Sequence, residues 1–261
     1  PLDTLYKMKL NSIFFTIALI MLFGCVSDSN ETEPASQITL NFNHYWDEYG
    51  ITNTDLNSLS FINEFGNLLS IERLRYLISG IVLTKEDGRI IEIQGYNLTD
   101  ISNETSLTYI PEELVEHGYY SNISFIFGFT NQNNTDGSYI DLNSKSWNVP
   151  SMLGGGYHFM QMDGKFLNNE NQEQGYNYHA IRAANSPDNT VSQDTFFKVD
   201  LGAFNATIDT EINISVNIAK WFKNPNTWDL NELNQMLMPN YEAQIMMYEN
   251  GQDVFSLIIN D

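Results

Sequence analysis

The chain has 261 residues, of which 42% are hydrophobic and 13% aromatic. That is enough apolar material for a sizeable core and excludes global disorder. Twelve Lys and Arg stand against 33 Asp and Glu, a net charge of −21, which excludes nucleic-acid binding by phosphate neutralisation and disfavours charge-driven binding to anionic lipid.

In chain order, residues 1–7 precede Met8 and read as upstream sequence. Lys9 and the apolar run from Ile13 to Phe23, broken only by Thr16, have the form of a signal peptide. Eleven residues rise about 16 Å as helix, short of a bilayer core of about 30 Å. The run ends Leu22-Phe23-Gly24-Cys25, which looks like a bacterial lipobox with Cys25 as the lipidated residue. Cys25 is the only cysteine, which rules out an internal disulfide framework and a Cys-based zinc cluster. Residues 1–24 are therefore expected to be signal peptide and upstream residues. Residues 25–36, polar and acidic, are expected to be a lipidated flexible tether, and residues 37–261 one β-rich domain. The lipid would be the sole membrane contact of a monomer on the bacterial outer membrane, facing the periplasm or the cell surface.

Ile38, Leu40, Phe42 and His44 fall on one face of a strand. Leu77 to Thr84 and Arg89 to Gln94 flank Glu86-Asp87-Gly88 as a hairpin. Ser70 to Ile78 fits either a helix or the start of that hairpin. Further strands are predicted at 123–129, 157–162, 176–181, 195–201, 212–218 and 254–259. Short helices are predicted at Pro111 to His117, 219–223 and 231–238, the last behind Asp229 and stopped by Pro239. So many short strands with turn signals between them predict an all-β fold, a single β-sandwich domain with a few short helices.

Four histidines are present: His44, His117, His158 and His179. His117 is expected at a helix end. The other three sit in predicted strands among aromatics, with Met160 and Met162 on the same face as His158. Such residues are either hydrogen-bonded core histidines and space-filling methionines or, as imidazole and thioether, ligands for copper. Gly154-Gly155-Gly156 allows a bulge or a close backbone approach before His158. Trp147, shortly before it, is either a core anchor or the wall of a site. Asn133, Asn134, Asp136 and Asp141 could offer oxygens to Ca²⁺. Their spacing does not follow the EF-hand loop and reads as a solvated turn. No nucleophile elbow, P-loop or H-E-x-x-H motif is present, so a non-enzymatic role is expected.

Six segments, in order, resemble the MbnP-like copper-binding domain family. They are Gln37 to His44, Arg73 to Ser79, Gly154 to Met160, Tyr176 to His179, and Asn217 to Phe222 with Trp228 to Asn231. The resemblance covers about residues 37–256. It implies a copper-binding lipoprotein serving copper acquisition or homeostasis, with His44, His158 and His179 as candidate ligands. It also implies a di-haem cytochrome c peroxidase-like partner that converts a tryptophan, here Trp147, into a kynurenine ligand. Family members often place that tryptophan directly before the proline, where this chain has Val149-Pro150. The alternative is a surface carbohydrate-binding or adhesion module without metal. It requires an exposed aromatic row and separated histidines.

Overall fold

The alternation predicted from Ile38 becomes a strand, Ile38–Trp46, in which every second side chain is buried, His44 included. It lies parallel to Thr210–Asn217, with His44 opposite Val216. Phe255–Leu257 extends this five-stranded sheet on one side and Tyr49–Ile51 on the other. The structure is a computed structural model, and it describes residues 33–185 and 191–258. Cys25, the signal peptide and most of the tether lie outside the described residues.

The larger sheet has eight strands and is built around Arg73–Lys85. The hairpin is present, with Arg73–Lys85 antiparallel to Ile90–Asp100. Arg73–Lys85 also pairs with Gly118–Phe127 and with Met160–Leu167. Phe197–Ala206 follows beyond Gly118–Phe127, and Glu173–Ala180 beyond Met160–Leu167. Aromatic rings join the inner faces of the two sheets. Phe42 meets Tyr76 at 6.1 Å between centroids, and Phe255 meets both Tyr76 and Phe125 at 5.7 and 5.3 Å. The fold is an all-β sandwich, as the turn-punctuated strands predict.

The helices differ from expectation. Pro111 to His117 is not helical. Val115–Glu116 pairs instead with Ala35–Ser36, two residues assigned to the tether by composition. His117 therefore ends no helix, and its Nε2 lies 2.8 Å from Ser36 Oγ. Residues 231–238 form turns around Asp229 rather than a helix. The longest described helix, Tyr241–Gly251, starts just beyond Pro239, where Asn240 caps it by accepting the Ala243 N–H at 3.1 Å. Pro239 thus precedes a helix rather than ending one. The short helix predicted at 219–223 is present, as the 3₁₀ helix Ile218–Phe222.

Gly164 shows how tightly the larger sheet is closed. A Cβ at this position would meet the Ser70 carbonyl oxygen at 2.0 Å and Tyr176 Cε1 at 2.8 Å. Tyr176 itself donates to that same carbonyl at 2.8 Å. We expect Gly164→Ala to lower stability by about 1–3 kcal/mol, the usual cost of overpacking. Urea denaturation checks this, and an unchanged midpoint would mean that the Ser70 backbone yields freely.

Candidate metal centre

Parity along Met160–Leu167 sends Met160, Met162, Gly164 and Phe166 inward and leaves Gln161, Asp163 and Lys165 outward. Register then builds two rows on the outer face. Arg75, Gln161 and His179 form one, and Arg73, Asp163 and Asn177 the other. His179 Nε2 reaches diagonally to Asp163 Oδ1 at 2.9 Å. A carboxylate only accepts, so Nε2 carries a proton, and the neutral form of the ring holds its lone pair at Nδ1. Burial raises the Asp163 pKa. The His179 ring, the Asn177 amide and Arg73 outweigh it and hold the carboxyl down to about 2. Asn177 Nδ2 and Arg73 Nε both stand at 2.5 Å from its oxygens.

His158 joins this outer face because the alternation breaks beside it. Phe159 and Met160 are successive, yet both belong to the main core. His158 is thereby turned away from Met160 and Met162, whose face it was expected to share. Its ring meets Trp147 at 5.7 Å and His179 at 5.4 Å between centroids. The preceding loop fixes it. Trp147 O accepts the His158 backbone N–H at 3.0 Å and His158 Nδ1–H at 2.9 Å. Because a carbonyl cannot donate, Nε2 is the bare nitrogen. Gly154, Gly155 and Gly156 all have left-handed φ, 103°, 66° and 77°. A Cβ on Gly156 would lie 2.7 Å from Asn134 Oδ1, the atom that accepts the Tyr157 N–H. The three glycines therefore make the turn that delivers His158.

Trp147 is fully buried in a second, smaller core with Leu77, Phe129, Leu142 and Tyr157. Arg75 lies over its ring, 5.1 Å from the centroid. Neither Trp147 Nε1 nor Arg75 Nε makes a hydrogen bond within the protein. Trp147 is thus a core anchor whose ring also flanks His158.

Residues after Trp228 close the edge. Asn177 N–H donates to Asn234 O at 2.8 Å, and Gln244 Nε2 donates to His179 O and Leu237 O at 2.8 and 3.0 Å. This docking sets Met238 Sδ 3.3 Å from His158 Nε2. A cavity of about 660 Å³ opens beside it, lined by His179, Asn177, Met152, Met236 and Met238 among others. The sequence reading missed Met238, which stands in no strand and beside no histidine in the chain.

His44 is not brought to this pair. It points into the sandwich from the smaller sheet, where its Nε2 lies 3.0 Å from the Tyr76 hydroxyl. His158 and His179 occupy the opposite, outer face of the larger sheet. Among the described residues no group of three or more His, Cys, Asp or Glu side chains gathers in a way that could hold a metal. Three of the oxygens considered for Ca²⁺ are engaged within the protein. Asn134 Oδ1 holds Tyr157, Asp136 Oδ1 receives Asn148 at 3.5 Å, and Asp141 accepts from Tyr96. All four tryptophans are buried, so they form no exposed stacking row.

These observations define a β-sandwich with an imidazole pair on the outer face of one sheet. The chain belongs to the MbnP family, whose model matches residues 35–244. Its fold is similar to that of the solved MbnP from Methylosinus trichosporium. The two are 11% identical with a TM-score of 0.56, over 86% of this chain and 98% of that one. No curated protein matches the sequence.

Burial lowers the pKa of His44 to about 4. Burial also dominates at His158, where the Trp147 carbonyl opposes it and His179, Arg75 and Arg73 add to it, again giving about 4. Both values lie below the ordinary 6.5 of histidine, so the unfolded chain takes up these protons first. Their contribution is complete above about pH 6.5 and is lost as pH falls through about 4, on the order of 3 kcal/mol for each ring. Urea midpoints between pH 7 and 4 should fall less steeply in His44→Phe than in the unaltered protein. Parallel slopes would show that His44 is not buried neutral.

Proposed function

We propose that this protein is a copper-binding lipoprotein that holds one copper ion through His158 and His179. The observation that carries the reading is the pair of fixed tautomers. Each ring donates from one nitrogen, His158 to the Trp147 carbonyl and His179 to Asp163. Each is thereby left with one lone-pair nitrogen, and the rings stand 5.4 Å apart. Such support of a ligand's far side orients the ring and, where the partner is a carboxylate, raises its basicity. Imidazole donors on an acidic, cysteine-poor protein fit copper by type.

The family resemblance extends the proposal. Lipidation at Cys25 would anchor the protein to the bacterial outer membrane, facing the periplasm or surface, for copper acquisition or homeostasis. A di-haem peroxidase-like protein would be its partner and Trp147 the residue that partner oxidises to kynurenine. The proximity of Trp147 to His158 supports the last step, and peptide mass mapping of residues 146–158 is its check. The non-metal carbohydrate or adhesion reading gains no support from adjacent histidines and buried tryptophans.

Purified protein should retain about one copper per chain through gel filtration and moderate salt, since imidazole bonding is little screened. The double variant His158→Gln/His179→Gln should retain none and keep its circular dichroism spectrum. Equal copper in both proteins, or complete loss in salt alone, would reduce the binding to non-specific carboxylate attraction.

A further inference from the structure

The contact between His158 Nε2 and Met238 Sδ, at 3.3 Å, is chemically odd. Nδ1–H is committed to the Trp147 carbonyl at 2.9 Å, so a neutral ring presents only a lone pair at Nε2. A thioether sulfur has no proton to give. Two electron-pair donors therefore face each other with no hydrogen between them. A cation shared by both lone pairs would make the contact favourable.

The backbone shows that this placement is built rather than incidental. Gln244, fully buried, donates at once to the carbonyls of His179 and Leu237, which ties the residue before Met238 to the strand carrying the second imidazole. Met236, two residues earlier, holds a left-handed φ of 56° and presents its side chain to solvent at the cavity rim. Both thioethers therefore border the same opening as His179.

We propose that Met238 Sδ is a third ligand beside His158 and His179. The inference rests on the imidazole-pair reading above and adds to it a donor. The physical reason is softness. A polarisable thioether bonds well to Cu(I), whereas imidazoles alone accept either ion.

The test compares the full-length protein with Met238→Leu, which keeps nearly the same volume, and with His158→Gln. Cu(I) affinity is read by competition with a chromophoric Cu(I) chelator, and Cu(II) affinity by competition with glycine. X-ray absorption at the copper edge reads sulfur coordination directly. We expect Met238→Leu to lose at least about tenfold in Cu(I) affinity. Its Cu(II) affinity should not change, and the sulfur scattering seen in the unaltered protein should vanish. Unchanged Cu(I) affinity in Met238→Leu would overturn the thioether ligand while leaving the imidazole pair standing. An equal fall for both ions would overturn the thioether ligand and make Met238 a packing residue. Full-strength binding by His158→Gln would overturn the imidazole reading itself.

Discussion

The carbonyl of Trp147 accepts two hydrogen bonds from one residue, the backbone N–H and the ring N–H of His158. The rest of the centre depends on this clamp. It sets the ring's position and its tautomer together, and so decides which nitrogen faces outward. The clamp exists only because the chain turns back to Trp147 within a short loop, which three consecutive left-handed glycines allow. Trp147 in turn is held by burial against Leu77 and Tyr157 on the outer face of the sheet, with Arg75 over its ring.

That arrangement has a cost in polar satisfaction. Trp147 Nε1 and Arg75 Nε are buried without hydrogen bonds, each a penalty of about 1–3 kcal/mol. The cation over the indole offsets part of it. Both groups sit in the smaller core on the outer face of the sheet rather than inside the sandwich.

The sheet itself divides the histidines. His44 on the inward face of Ile38–Trp46 is sealed against Tyr76, while the two rings on the larger sheet look the other way.

Much of the sandwich was legible because strand parity is local. Alternation at Ile38–Trp46 and the Glu86-Asp87-Gly88 turn predict their structures without reference to the rest of the chain. The segments around His158 and His179 stood out by their resemblance to the MbnP family rather than by parity, which put His158 on the face of Met160 and Met162. Tertiary structure alone decided three things. The break between Phe159 and Met160 reversed His158 relative to its strand, because core packing outweighed alternation. Docking of residues 234–244 on the strand edge brought Met238 in, through backbone carbonyls that carry no sequence signal. And the side of the sheet on which each histidine stands followed from pairing between strands far apart in the chain, which no local pattern encodes.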